Sequence, residues 1–258
     1  MKKLIKDLYE YREFLKTSVK KDIRGKYKGA WLGVLWSFIN PLLTLMVYAI
    51  IFPLIMKSKI PNYLMYLMTG MMPWNFFTGA INSAAYSIIA NAGIIKKVYF
   101  PREVIPVSIV LSNAIMFCIT CVIILVFLIF TGVGFSWYML FFPIILFLEM
   151  FLLMGFSFIL SAITVYAQDV SHIVNVILMA AFYGTPIVYD ASAIPERYKF
   201  ILYLNPMTPI VTAFRDILFY KQMPDWIELG WVFVFCIFLF YIGLAIFRKL
   251  QKGFVEEV

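Results

Sequence analysis

Residues Val104–Thr131 read VIPVSIVLSNAIMFCITCVIILVFLIFT and contain no charged side chain. A helix needs roughly 20 apolar residues to cross the hydrocarbon core of a bilayer, and this run exceeds that length. Five further apolar runs are Ala30–Met56, Tyr63–Ala90, Trp137–Tyr166, Ile173–Tyr189 and Leu229–Phe247. Hydrophobic residues make up 63% of the chain, and the mean hydropathy is +0.90. Because the runs are continuously apolar, the sequence predicts an all-α polytopic membrane protein.

Basic residues flank these runs in a pattern that predicts the orientation of the chain. The formal net charge is +8, and ten of the 22 Lys and Arg residues precede Gly29. These ten are Lys2, Lys3, Lys6, Arg12, Lys16, Lys20, Lys21, Arg24, Lys26 and Lys28. Lys96, Lys97 and Arg102 follow the second run, and Arg248, Lys249 and Lys252 follow the last. Since loops rich in Lys and Arg stay in the cytoplasm, the pattern predicts six transmembrane helices with both termini inside. The charge therefore indicates topology and not a nucleic-acid partner.

The predicted organisation is a single transmembrane domain over residues 1–258. Its parts are an N-terminal amphipathic interface helix on the cytoplasmic side (1–28), spans one to five (29–189), a re-entrant outer segment (190–225), span six (226–248) and a cytoplasmic tail (249–258). Leu4, Leu8 and Leu15 recur at helical spacing among basic residues, which favours a helix lying in the membrane interface with its apolar face down. A basic tail without fixed structure is the alternative.

The segment before the last span has an apolar part that is broken by prolines. Asn205-Pro206 and Thr208-Pro209 interrupt it, and Arg215-Asp216 follow. A further crossing here would place the basic C-terminus outside the cell, against the charge pattern. Irregular backbone at membrane depth is tolerated only inside protein or along a water-filled cavity. We therefore predict re-entrant helices that enter from the outer side and contribute to a pathway.

The sequence lacks the motifs of an enzyme or of a self-energised transporter. There is no phosphate-binding G-x-x-x-x-G-K-[ST], and His172 is the single histidine, so we expect neither a catalytic role nor a metal or cofactor in this chain. Cys118 and Cys121 lie within one apolar run, where packing is a better explanation than redox chemistry. Glu149 is the one deep carboxylate, and we expect it to be protonated, partnered or facing the pathway. An energising partner is therefore expected, and a secondary transporter is disfavoured.

An ordered set of motifs resembles one transporter family over nearly the whole chain. The motifs are Gly33-Val-Leu-Trp-Ser-Phe-Ile-Asn-Pro-Leu42, Gly70-Met-Met-Pro-Trp-Asn-Phe-Phe77, Lys97-Val-Tyr-Phe-Pro-Arg102, Gln168-Asp169, Thr185-Pro-Ile-Val-Tyr189 and Leu204-Asn-Pro-Met-Thr-Pro209. They resemble the permease subunits of the ABC exporters (ABC type-2 permeases) that move lipid-linked polysaccharides, namely O-antigen, a part of lipopolysaccharide, and teichoic acid.

The resemblance implies a homodimer that works with two copies of an ATP-binding ABC subunit in a bacterial plasma (inner) membrane. ATP and Mg would be bound by that partner subunit. The substrate would be a polymer linked through pyrophosphate to a polyprenyl lipid and exported from the cytoplasmic to the outer face. A permease for a drug or a small lipid is the alternative. The identity of the polymer, teichoic acid, O-antigen or another glycan, stays open.

Three groups of residues are predicted to carry this function. The ATPase-docking group is Lys96, Lys97, Tyr99, Phe100, Pro101, Arg102 and Glu103, with the two aromatic rings filling a groove on the ATPase. The group that would attract the lipid pyrophosphate is Arg24, Lys26 and Lys28, because cations at a membrane boundary suit phosphate. The pathway group is Trp31, Trp36, Trp74, Phe76, Phe77, Tyr183, Tyr189 and Glu149, since flat ring faces can slide along sugars. Topological charge and interfacial anchoring are the respective alternatives.

Overall fold

Helices account for nearly all regular structure in the part of the chain that is described. The computed structural model describes residues 2–26, 29, 31–56, 60–191, 194–198 and 200–257, and within those ranges it contains no strand. The α-helices are α1 (Lys2–Glu10), α2 (Arg12–Gly25), α3 (Trp36–Met56), α4 (Tyr63–Ala85), α5 (Ser87–Ala90), α6 (Ala92–Ile95), α7 (Val104–Phe130), α8 (Phe142–Tyr166), α9 (Val170–Gly184), α10 (Phe200–Leu204), α11 (Met207–Arg215), α12 (Trp226–Leu250) and α13 (Phe254–Glu257). A π-helix at Asp216–Tyr220 extends α11.

Three of the predicted spans are long apolar helices in the structure. Val104–Phe130, Trp137–Tyr166 and Trp226–Glu257 are the helical stretches of the described chain that have the length and apolar composition to cross a membrane. They correspond to the third, fourth and sixth predicted spans. Shorter apolar helical stretches are Phe38–Tyr48, within α3, and Val170–Gly184, which is α9. The all-helical fold is thus confirmed for the described residues, while the count of six spans stays a prediction.

Helix α9 is shorter than the fifth apolar run of the sequence. It ends at Gly184, and Thr185 is extended with φ −102° and ψ 135°. The cause is Pro186, because the ring of a proline disfavours helical backbone in the residue before it. A helix of 15 residues is about 22 Å long, which is less than the ~30 Å hydrocarbon core. The apolar run thus stops being helical before its end at Tyr189, and its last five residues form turns and bends.

Helix α4 is continuous although it contains a glycine and a proline. It runs through Gly70 and Pro73 without interruption. A proline removes one backbone hydrogen bond, which is a local loss, whereas every residue from Met65 to Trp74 is buried. Packing on all sides therefore stabilises the helix through these two residues.

The N-terminal helix is divided at Tyr11 into α1 and α2. Its apolar face packs partly on the protein, whereas we expected this face to lie on the membrane. Leu4 is buried in a cluster with Phe100, Phe247 and Phe254, and α2 lies along α7. The alternative of an unstructured tail is not seen.

Helices α8 and α12 approach most closely where each carries a glycine. A Cβ atom on Gly243 would lie 2.5 Å from the carbonyl oxygen of Gly155, and a Cβ on Gly155 would lie 2.8 Å from the Leu239 side chain. Small residues allow two membrane helices to pack backbone against backbone, and Phe158 fills the space beside the crossing between Phe240 and Phe247. This pair of helices makes the most extensive helix–helix contact among the described residues.

We expect Gly243→Leu to destabilise the protein by at least about 1–3 kcal/mol, because the new side chain would collide with backbone that cannot move aside. The matched control is Gly230→Leu on the same helix, since nothing lies within 4 Å of a Cβ there. Thermal unfolding of the purified protein in detergent measures the difference. Equal melting temperatures for the two variants would contradict the close approach.

Candidate functional site

A cleft of ≈ 420 Å³ lies between α3, α4 and α7, with the end of α2 at its edge. We call it the polar cleft. Its polar lining residues are Lys26, Asn40, Thr44, Asn75, Asn113 and Thr120, and its aromatic lining residues are Trp36, Phe76 and Phe117. The cleft thus joins amide and hydroxyl groups to flat apolar rings, with one cation and no carboxylate among its lining residues. Such a surface can hydrogen-bond a neutral polar ligand and contact its apolar faces.

The cation of the polar cleft is held by a specific contact. Nζ of Lys26 donates to Oδ1 of Asn113 at 2.8 Å, and Nδ2 of Asn113 donates to the carbonyl of Ile109 at 2.8 Å. Partial burial of the ammonium group lowers the pKa of Lys26, and the nearby Asp22 carboxylate opposes this change. Asp22 in turn accepts a hydrogen bond from Ser108 at 3.3 Å. The C-terminal end of α2 is therefore tied to α7 at the mouth of the cleft.

Two of the aromatic residues that line the polar cleft, Phe76 and Phe117, belong to a stacked row of three rings. The ring centroids of Phe76 and Phe117 are 5.1 Å apart with planes 16° apart, and Phe142 stacks on the other side of Phe117 at 6.0 Å. This row gives the cleft a rigid apolar wall. Of the predicted pathway group, Trp36 and Phe76 line this cleft.

Two other predicted pathway residues line a second cleft of ≈ 260 Å³ between α3, α4 and α9. They are Trp74 and Tyr183, and Tyr48, Asn82 and Asn175 share this lining. The Trp74 and Phe182 rings meet edge to face at 5.9 Å. The two clefts use neighbouring faces of α4, because Asn75 and Gly79 line the first whereas Trp74 and Thr78 line the second.

The remaining pathway candidates lie away from both clefts. Phe77 is buried against Phe156, with ring centroids 6.0 Å apart. Glu149 is fully buried in α8, and neither carboxylate oxygen has a hydrogen-bond partner among the described residues. An ionised carboxylate without a partner is very costly in an apolar interior, and the protonated state of Glu149 stays a prediction. Tyr189 is half-buried near the end of α9, and Trp31 is 96% exposed.

The two described residues among the three predicted to attract pyrophosphate line different surfaces. Lys26 faces the polar cleft, Arg24 lines a separate groove between α2 and α7, and Lys28 lies outside the described residues. No cluster of three or more potential metal ligands occurs among the residues that the structure places.

The predicted docking loop, residues 96–103, divides into an exposed and a buried half. Tyr99 is 94% exposed, and Lys96 and Lys97 are exposed beside it. Phe100 is buried, with its ring centroid 4.6 Å from that of Phe14. The idea that both aromatic rings fill a groove on a partner therefore does not hold for Phe100 in this structure.

The buried half of the loop contacts the C-terminal end of α12 and the residues that follow it. Glu103 is buried and accepts a hydrogen bond from Nε of Arg248 at 3.1 Å, which also forms an ion pair. Arg102 donates to the carbonyl of Gln251 and lies over the Phe254 ring. Pro101 is half-buried between the two halves. The loop and the tail thus form one surface. This contact could not be predicted from the sequence, because the two segments are far apart along the chain.

Two of the quoted motifs, at residues 70–77 and 185–189, meet at Arg215, which sequence reasoning did not select. Its guanidinium donates to the carbonyls of Pro186 at 2.8 Å and Ile187 at 3.1 Å, and it lies 3.7 Å from the centroid of the Tyr66 ring. A Cβ on Gly70 would be 2.7 Å from Nη2 of Arg215. This arrangement, the Arg215 clamp, satisfies carbonyls after the end of α9 that have no helical partner.

Hydroxyl groups strengthen the same region. Tyr63 donates to the carbonyl of Val188 and Tyr66 to that of Tyr189, both at 2.7 Å. Nδ2 of Asn205 donates to Oγ1 of Thr185 at 2.7 Å. The motifs at residues 70–77, 185–189 and 204–209 therefore include residues that build this junction.

Sequence comparison places the chain in a family. Residues 13–219 match the family model described as ABC-2 type transporter. The O-antigen export system permease protein RfbA of Klebsiella pneumoniae is 38% identical over 92% of this chain and 91% of its own length. A protein of the same name from Myxococcus xanthus is 30% identical over 100% of both chains. The polysialic acid transport protein KpsM of Escherichia coli is 23% identical over 92% of this chain and 93% of its own. With its long apolar helices, this multi-pass membrane protein belongs to the ABC-2 type transporter family, which implies an ATP-binding partner subunit.

Proposed function

We propose that this chain is the pathway-forming transmembrane subunit of an ATP-driven exporter of cell-surface polysaccharide. The observation that carries the proposal is the polar cleft, with Asn40, Asn75 and Asn113 beside a row of aromatic rings. Amide and hydroxyl groups exchange hydrogen bonds with sugar hydroxyls, and ring faces contact sugar C–H faces without strong trapping. The relatives named for O-antigen export and polysialic acid transport support the same class of substrate.

The proposed complex contains two copies of this chain and two copies of the ATP-binding subunit. The permease supplies no catalytic residue, and ATP and Mg are bound by the partner. The proposed location is the bacterial plasma membrane with both termini in the cytoplasm, which the dense basic residues of α1 and α2 support. Two copies would allow clefts from both chains to face a shared pathway.

We further propose that the polymer is exported while linked to a polyprenyl pyrophosphate, and that Lys26 attracts the pyrophosphate. The ammonium group lies at the edge of the polar cleft, close to the end of the basic segment. We expect Lys26→Gln to lower the export rate about tenfold, because a charge-assisted hydrogen bond to phosphate is lost. Lys6→Gln, which removes an exposed cation paired with Glu10, is the control. Equal export rates in the two variants would assign to Lys26 a topological role alone.

The function is tested in cells that lack the gene for this chain. Surface and intracellular glycans are quantified after complementation with the natural chain or an empty vector. We expect the polymer to accumulate inside the cell without the chain and to return to the surface with it. Normal surface glycan without the chain, together with altered resistance to drugs or lipid content, would favour the drug or small-lipid exporter. Chemical analysis of the retained polymer separates O-antigen, teichoic acid and other glycans.

The exposed half of the docking loop is proposed to contact the ATPase. We expect Tyr99→Asp to reduce copurification of the ATPase by at least about tenfold, since a large exposed aromatic residue is typical of an energetic anchor at an interface. The amount of permease in the membrane should not change. Phe100→Ala should instead lower the stability of the permease, because that ring packs on Phe14 inside the molecule. Unchanged copurification with Tyr99→Asp would make the loop a connector only.

A further inference from the structure

The groove between α2 and α7 that Arg24 lines lies on the side of α7 that faces away from the polar cleft. It has a volume of ≈ 450 Å³ and lies between α2 and α7. Its floor is apolar and includes Val19 and Ile23 of α2 with Leu111 and Ile115 of α7. Its rim is basic and consists of Lys16, Lys20 and Arg24. We call this feature the α2–α7 groove.

The two faces of α7 are separated by helical geometry. Asn113, Phe117 and Thr120 line the polar cleft, whereas Leu111 and Ile115 line the groove. At about 100° per residue these two sets point to nearly opposite sides of the helix. A molecule in the groove therefore does not occupy the proposed export pathway.

Two of the three rim cations have no ion-pair partner among the described residues. Lys16, Lys20 and Arg24 are spaced four residues apart, so they share one face of α2, where like charges repel. Lys16 is paired with the exposed Glu13 at 2.9 Å. Within the described ranges, no carboxylate lies at ion-pair distance from Lys20 or Arg24. A counter-ion from outside the protein is the simplest source of balance.

The floor continues as an apolar stripe along α7. Val122, Leu125 and Ile129 are exposed and lie on the same side of the helix as Leu111 and Ile115. The distance along the helix from Leu111 to Leu125 is about 21 Å, which exceeds half the ~30 Å hydrocarbon core. One acyl chain of a bilayer lipid can therefore lie on the stripe while its headgroup stays at the level of α2.

We propose that the α2–α7 groove binds an anionic phospholipid of the leaflet nearest the N-terminus. The phosphate lies between Lys20 and Arg24, and one acyl chain lies on Leu111 and Ile115. A free phosphate would leave the apolar floor uncovered, and a neutral lipid would leave the two cations unbalanced. The bound lipid joins α2 to α7 beside the contact between Lys26 and Asn113, so it stabilises the edge of the polar cleft.

The proposal is tested by lipid binding to the full-length chain in a mild detergent. Phosphatidylglycerol is titrated, and the bound lipids are counted by native mass spectrometry. We expect Lys20→Gln with Arg24→Gln to weaken the tightest phosphatidylglycerol site about 25-fold, at about fivefold for each basic residue at an anionic surface. The control, Lys6→Gln with Arg12→Gln, removes the same charge from the same segment outside the groove and should change binding less than about threefold.

Further measurements decide between occupants. Ile115→Trp fills the floor without changing charge, and we expect it to displace the same lipid. Phosphatidylcholine should bind both double variants and the natural chain alike. The proposal is overturned if the control pair loses as much binding as the groove pair, or if glycerol phosphate competes as well as the lipid. It is also overturned if a polyprenyl phosphate takes the groove in preference to phosphatidylglycerol. None of these results depends on which polymer is exported.

Discussion

Replacing Arg215 with Met should lower the apparent melting temperature of the purified protein by at least about 6 °C, which corresponds to about 3 kcal/mol for a chain of this size. The substitution keeps most of the side-chain volume but removes the donors to the carbonyls of Pro186 and Ile187. Each buried carbonyl left without a partner costs roughly 1–3 kcal/mol. The contact of the guanidinium with the Tyr66 ring is lost as well, although relief from burying a charge offsets part of the loss.

Two further variants make the Arg215 prediction specific. Arg215→Lys should recover little stability, because one ammonium group cannot bind two carbonyls in a fork and also lie flat on a ring. Gly70→Ala should destabilise the protein through the same clamp, since its Cβ would press on Nη2 of Arg215. Arg197→Met, at an exposed position, is the control. If Arg215→Met melts with the natural chain, the clamp contributes nothing to stability.

The contacts of the Arg215 clamp could not be predicted from the sequence. The motifs at residues 70–77, 185–189 and 204–209 could be recognised one by one, and their order indicated the family. Their contact could not be predicted, because Arg215 binds backbone carbonyls, and every residue offers a carbonyl. The sequence shows Arg215 beside Asp216 in an otherwise apolar segment, but composition carries no information about the partners of the guanidinium.

The long helices were predictable because a run without charge that is longer than a bilayer leaves few alternatives. Helices α7, α8 and α12 follow those runs closely. Pro186 ends helix α9, as its effect on the preceding residue predicts. Pro73 does not end helix α4, because the packing of its buried neighbours outweighs one missing backbone hydrogen bond. The same residue type therefore has opposite outcomes, and the surrounding packing decides which one occurs.

The polar cleft was only partly predicted, although its spacing was present in the sequence. Asn113, Met116, Phe117 and Thr120 recur at i, i+3, i+4 and i+7 along α7 and thus share one face. Selecting aromatic residues by type included Phe76, which lines the cleft, but also Phe77, which packs in the core. Helical spacing of polar residues within apolar runs is therefore a better guide to this surface than aromatic content.

Gly79→Phe should reduce polysaccharide export to background while leaving the amount of permease in the membrane unchanged. Gly79 lines the polar cleft on α4, opposite Asn113. A Cβ at this position would be 3.6 Å from Oδ1 of Asn113, which is an ordinary contact, so the backbone needs no adjustment. The ring of the new side chain would then extend into the open cleft and exclude the polymer from the row formed by Phe76 and Phe117.

Gly79→Ala is the matched control and should export at the natural rate, because its Cβ fits and the cleft stays open. The measurement is surface glycan against retained intracellular glycan at equal permease levels in the membrane. ATPase copurification must be equal in both variants, which separates a blocked pathway from a lost partner. Full export by Gly79→Phe would show that the polymer passes elsewhere, and the second cleft at Trp74 and Tyr183 would then become the site to obstruct. The alanine variant would fail together with the phenylalanine variant only if α4 tolerated no side chain here, and the open space around Gly79 argues against that outcome.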